Sequence, residues 1–258
     1  MLPILNFNEA EILAFALILL RVSAFLVTWP VFSVFAVPHQ LKVLFAVLLT
    51  MVLFPVINRA GASTEVLSQQ IIWLAGKEVL TGICLGFLTR LFFFAVSAGA
   101  NLIATSAGLA NAQLFNPTIG ATTTVVEQFY VAVATLLFLS LNGHHIFLDG
   151  LVQSFDAIPL TGGIDIAVFK DSGLILQSVV ESGIKISAPV MVVVFFLNVA
   201  MGIIGRAVPQ INVLVTSMPV NFMAGILVML VGIPAMVFEM SHQVDSFAAV
   251  LFKFLAAM

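Results

Sequence analysis

Several charged residues stand inside apolar stretches of this sequence, where a charge is expensive: Arg21, Lys77, Glu78, Arg90, Glu127, Glu181 and Lys185. An arginine at the centre of a bilayer span costs ~3 kcal/mol on insertion scales. Arg21, in the middle of the first apolar segment, must therefore face protein, pair with a carboxylate or reach an interface by snorkelling. Lys77 and Glu78 are adjacent, about 100° apart around a helix, so each is expected to meet a different neighbour. Glu181 and Lys185 are spaced i, i+4 in the favourable Glu-then-Lys order. At lipid depth, breaking one half of that pair would leave an uncompensated charge, so all of these groups except Arg90 are expected as buried charge contacts.

Catalytic or metal chemistry has weaker support. His145 and Asp149 fall at i, i+4, with His144 beside them, and invite a metal reading; no third ligand set is in view, and histidines starting a helix near a membrane interface are the plainer explanation. Ser106 has no base in sequence, and neither HExxH nor GxSxG occurs. The single cysteine, Cys84, makes no intrachain disulfide or cysteine-based metal site and reads as a small core residue. No cofactor, metal or catalytic residue is expected.

The elements that must position these groups are membrane-like. Of 258 residues, 62% are hydrophobic and 8% charged, far from soluble averages. Nine Lys and Arg against twelve Asp and Glu, with no basic block, exclude a nucleic-acid footprint and a polybasic lipid tether. The N-terminus has Glu9 and Glu11 and lacks both a basic region and a small-residue cleavage site, so no cleaved signal peptide is expected. Helices are predicted over 11–30, over 43–57 (short for a span), over 71–98, with Gly76, Gly82 and Gly86 on a face for close approach, and over 125–141, ending at Asn142-Gly143. Beyond a loop at 155–163, an amphipathic helix over 165–187 runs to a kink at Pro189, a turn occupies 208–219, and an apolar helix over 221–238 is interrupted by Pro234. A tail over 239–258 carries Phe247, Val250, Leu251 and Phe254 at helical spacing, suiting an interfacial or partner-bound helix. The expected class is all-α: long kinked hairpins built to pack against other helical subunits. The broken helices with Lys77, Glu78, Glu181 and Lys185 also fit a small-solute secondary transporter, though the chain is short for one and has no convincing repeat.

Between Arg90 and Glu127 no residue is charged, yet 99–124 is dense in Gly, Ala, Asn, Ser and Thr, with Pro117 near its centre. Irregular backbone at membrane depth is tolerable only where protein or a water-filled cavity satisfies it, which makes this stretch a candidate pore element. Gly108, Ala110, Asn111, Ala112 and Gln113 can pack across a narrow passage and move aside without separating ion pairs, while Leu109, Leu114, Phe115 and Ile119 offer apolar contact beside Asn116, Pro117 and Gly120. An ordinary interhelical loop is the alternative.

A resemblance covers most of the chain. Arg21 with Pro30 and Pro38, then Asn101, Gly108, Gln113, Asn116-Pro117 and Gly120, the Asn142-Gly143-His144 turn, Ser154-Phe155 with Ile158-Pro159, and Pro189, Asn198 and Pro209-Gln210-Asn212 together resemble the FliR family of flagellar export-gate proteins and its type III secretion injectisome counterparts. His145 stands where that family varies. The resemblance implies one export-gate domain over 1–258, with N-terminal helices to 141 containing a plug-like loop at 99–124 and a C-terminal hairpin and tail over 142–258. It implies a non-enzymatic subunit of a helical hetero-oligomeric channel with FliP and FliQ, together with FlhB and FlhA, passing unfolded flagellar subunits. It places that subunit in contact with membrane lipid in the bacterial inner membrane at the flagellum basal body, its loop from 108 to 122 helping to close the channel.

Overall fold

The computed structural model describes residues 8–30, 38–57, 70–108, 124–162, 172–208, 210 and 212–256. Every regular element among them is a helix: α1 (Glu9–Thr28), α2 (His39–Leu53), α3 (Ile71–Ser106), α4 (Val125–Ser140), α5 (Gly143–Ala157), α6 (Ser172–Ala207) and α7 (Val213–Ala256). The all-α class follows from the sequence. α1, α3, α6 and α7 are long and apolar enough to cross a membrane, and α4 with α5 makes a fifth span if the pair is counted as one broken helix. α2, with 15 residues, falls short of the ~20 that a span requires.

Several boundaries depart from the sequence reading: α2 begins at His39 and ends at Leu53 rather than spanning 43–57, and α5 extends to Ala157 into the expected loop. α3 runs to Ser106, so 99–106 is helical where a loop was expected. Glycine costs about 1 kcal/mol in a helix interior relative to alanine. Gly99 nevertheless suits α3, because a Cβ there would lie 2.8 Å from the carbonyl oxygen of Gly183 on α6, and close packing replaces what propensity lacks. α6 keeps Pro189, expected as a kink, within one helix that ends at Ala207, and α7 starts at Val213 and continues through Pro219 and Pro234 for 44 residues, so 213–219 is helical where a turn was expected. Prolines are tolerated inside apolar helices where neighbouring groups re-satisfy the freed carbonyls. Asn212 marks the start of α7, accepting a hydrogen bond on its side-chain oxygen from the Val215 N–H at 3.4 Å. The tail, expected to await an interface or a partner, instead buries Phe247 and Leu251 within this chain, with Leu251 seated against Gly150 of α5.

The described helices form two compact units that interleave along the chain. The first comprises Met1–Leu91, Asn142–Gly173 and Ser246–Met258, and the second Phe92–Leu141 and Leu174–Asp245, so α3 and α7 each contribute to both. In the first unit, α1 buries Leu17, Ile18, Val22, Phe25 and Leu26. It lies so close to α3 that a Cβ on Gly82 would strike the Arg21 carbonyl and one on Gly86 the Thr28 hydroxyl. Two of the three glycines read as a close-approach face thus serve as one, while a Cβ on Gly76 would have nothing within 4 Å. In the second unit, α3 and α4 pair antiparallel: Phe138 of α4 meets Phe92 and Phe93 of α3 at centroid separations of 5.7 and 5.5 Å. α4 stops where Asn142 takes a left-handed conformation (φ 57°), which asparagine tolerates better than most residues. α6 and α7 are joined by a hydrogen bond from Asn221 Nδ2 to Asn198 Oδ1 at 2.7 Å.

The α1–α3 crossing is testable. Gly82→Val forces overpacking worth about 1–3 kcal/mol and is expected to lower the thermal unfolding midpoint of the detergent-solubilised protein, whereas Gly76→Ala is expected to leave it unchanged or raise it. Equal effects at the two positions would contradict this packing.

Candidate functional site

Arg21, halfway along α1, is completely buried, and each of its five N–H groups has an acceptor. Nε and Nη2 grip the Glu78 carboxylate at 2.5 and 3.0 Å. Nη1 donates to the Ser154 carbonyl at 2.7 Å and to the Ser154 hydroxyl at 3.1 Å, and Nη2 also donates to the Ile158 carbonyl at 2.8 Å. The guanidinium lies 4.0 Å from the centroid of the Phe155 ring. Beside it, Lys77 Nζ donates to the carbonyls of Pro159 (2.7 Å), Leu160 (2.8 Å) and Gly162 (3.2 Å). These acceptors share an origin. α5 ends at Ala157 before Pro159, so Ser154 and Ile158 at its last turn and Pro159, Leu160 and Gly162 just beyond it present their carbonyls at the negative end of the helix dipole, where cations are favoured; those of Ser154 and Pro159 also accept from the N–H groups of Ile158 and Gly162. Two cations take that end, and Glu78 partly neutralises both.

Lys77 and Glu78 do meet different neighbours, as their positions on the helix predict. They also meet each other, with Lys77 Nζ 3.2 Å from Glu78 Oε1. Their partners lie on α1 and at the end of α5, 57 to 85 residues away along the chain. Of the residues that carried the family resemblance, Arg21, Ser154, Phe155, Ile158 and Pro159 converge here. The signal that could have revealed this is a helix ending at Ile-Pro with a serine four residues before the isoleucine.

The second polar site is at the start of α4. Glu127, 8% exposed, accepts hydrogen bonds from the Ser97 hydroxyl and from Asn101 Nδ2 (2.9 Å) on α3, while its own N–H donates to the N-capping Thr124 hydroxyl at 3.1 Å. No cation pairs with it among the described residues; the first-turn dipole and neutral donors hold the charge. Glu127 thereby ties the start of α4 to α3 close to where α3 ends. That end is set by Gly108, in the left-handed region at φ 77°, and by Ala107, whose Cβ lies 3.0 Å from the point where a Cβ on Gly225 of α7 would sit. The other residues expected to form the plug, Leu109, Ala110, Asn111, Ala112, Gln113, Leu114, Phe115, Asn116, Pro117, Ile119 and Gly120, lie outside the described residues.

Glu181 and Lys185 do form their i, i+4 pair at 2.9 Å, with Glu239 at 3.9 Å, but both side chains are about half exposed. Expected as buried, the pair is uncovered in this chain, because the span-length part of α6 is only 17% buried against 61% for α3. The residues considered for chemistry are otherwise engaged or isolated. Ser106 donates to the Ile103 carbonyl, Asp149 accepts from Gln153, the rings of His144 and His145 lie 4.1 Å apart, and no group of three His, Cys, Asp or Glu among the described residues could hold a metal.

The cluster predicts an order of losses. Glu78→Gln leaves two buried cations uncompensated and is expected to cost about 3–5 kcal/mol, more than Arg21→Met, which leaves Lys77 facing Glu78. The double variant is expected to be more stable than Glu78→Gln alone, because only one cation then remains. Thermal unfolding of the solubilised variants checks this; additive losses would contradict the coupling.

Comparison with known proteins identifies the family. The family model described as "Bacterial export proteins, family 1" matches residues 12–247. The flagellar biosynthetic protein FliR of Bacillus subtilis (strain 168) is 33% identical over 224 residues, covering 84% of this chain and 85% of that protein. FliR of Escherichia coli (strain K12) is 30% identical over 221 residues, 84% and 82% of the two chains, and FliR of Aquifex aeolicus (strain VF5) is 28% identical over 252 residues, 96% of each. With nearly the whole length matched and the resemblance residues meeting at Arg21, the chain belongs to family 1 of the bacterial export proteins, the family of the flagellar biosynthetic protein FliR.

Proposed function

We propose that this chain is a non-enzymatic subunit of the flagellar protein-export channel in the bacterial inner membrane, at the basal body, and that residues 108–122 help to close it. The subunit assembles with FliP and FliQ, adjoins FlhB and FlhA, and passes unfolded flagellar subunits. The relatives are named as flagellar biosynthetic proteins, and α1, α3, α6 and α7 supply the membrane-crossing lengths.

The observation that carries the gating role is how the uncharged segment is mounted. α3 is stopped by a left-handed Gly108, α4 is started by the Thr124 cap, and Glu127 ties the two stems together. A segment built from Gly, Ala, Asn and Thr can occupy a passage and leave it without exposing a buried ion pair, while rigid stems return it to the same place. The transporter alternative loses its main support at Lys77 and Glu78. Their hydrogen bonds go to Arg21 and to the end of α5 rather than towards a solute.

Shortening the segment between Gly108 and Gly120 tests the gate. Expressed in a flagellated host lacking its own copy, the shortened subunit is expected to raise ion leak across the inner membrane while assembly is retained. Unchanged leak with normal assembly would overturn the gating role.

A further inference from the structure

In the first unit, the part of α3 between Ile71 and Leu91 has two opposed faces. One holds Lys77 and Glu78 against α1 and the end of α5, which fixes how the helix is rotated. The other is open. Trp73, Gly76, Leu80, Ile83, Phe87 and Arg90 are all exposed. Their spacings of 3, 4, 3, 4 and 3 residues average close to 3.5, the period at which one helix meets another along a left-handed seam, and the row is about 25 Å long at 1.5 Å per residue. Gly76 leaves a gap in it, with nothing within 4 Å of where a Cβ would be.

Arg90 makes the row selective. It closes a run of apolar residues, and no carboxylate among the described residues lies within ion-pair distance of it. Acyl chains cover apolar side chains but offer a guanidinium no acceptor, so an arginine at membrane depth pairs within protein or water. Parallel pairing of this row with the same row of a second copy would bring two arginines together. Charge complementarity therefore calls for a different surface.

We infer that this row is the docking edge for an apolar helix of another polypeptide, which carries an aspartate or glutamate at the level of Arg90 and packs closely at Gly76. The inference rests on the multisubunit reading above and specifies one of its contacts.

The test places a photo-crosslinking benzoylphenylalanine at Ile83 or Phe87, in an otherwise unchanged chain expressed in a flagellated host with its own export proteins. The same probe at Ile72, exposed but off the row, serves as the control. Expected are protein adducts from both row positions, about tenfold above the control, with the crosslinked peptide mapping to an apolar helix containing a carboxylate. Arg90→Glu is expected to reduce the adduct about tenfold, and changing the mapped carboxylate to lysine to restore it. Adducts with lipid alone, with a second copy of the chain, or with a helix lacking a carboxylate would overturn the docking edge. Native mass separates the two failures: a large hetero-oligomer without row adducts overturns this inference only, whereas a monomer overturns the subunit reading on which it rests.

Discussion

The bidentate grip of Arg21 on Glu78 organises the first unit of this protein. A buried ion pair is seldom a net source of stability, because desolvating two charges costs about as much as their attraction returns. Its value here is geometric. Five donors in a planar fork accept one arrangement of acceptors, and those acceptors come from α3 and from the last turn of α5. Lys77 completes the arrangement by taking the carbonyls that follow. Three helices far apart in sequence are thereby fixed in register, and the chain leaving α5 at Pro159 is held at the same point.

The second unit relies on other means. Small residues bring α3 and α6 into contact at Gly99 and Gly183, phenylalanine rings join α3 to α4, and the only buried carboxylate among its described residues, Glu127, is held by neutral donors and a helix start. The paired Glu181 and Lys185 remain half exposed on α6, which with α7 buries only 17% of its span-length part. Apolar helices carrying open charges are suited to company, since lipid satisfies the first feature and not the second.

Much of this was legible beforehand, for identifiable reasons. Hydropathy and proline placement located the helices, because both act locally, and the short α2 was recognisable from length alone. The helix over 99–106 was missed because glycine, serine and threonine lower helix propensity, while the packing of Gly99 on Gly183 that offsets it is a tertiary fact. Pro219 and Pro234 were overvalued as breakers for the same reason. The charges inside apolar segments flagged Arg21, Lys77, Glu78 and Glu127 correctly as residues needing partners. Their identities depended on contacts across 26 to 137 residues, which no periodicity encodes. Glu181 and Lys185 show the converse: the spacing gave the pair and said nothing of what surrounds it.

The central claim is that a segment held between tied stems closes a passage formed largely by other subunits. The most direct measurement is an electron cryomicroscopy map of the assembly purified from a flagellated bacterium carrying this chain, resolved well enough to trace residues 108–122. The account predicts that segment across the narrowest part of the closed passage, with Gly108 and Thr124 at its rim. A passage closed by other chains alone, with the segment lying on the outer surface, would contradict it.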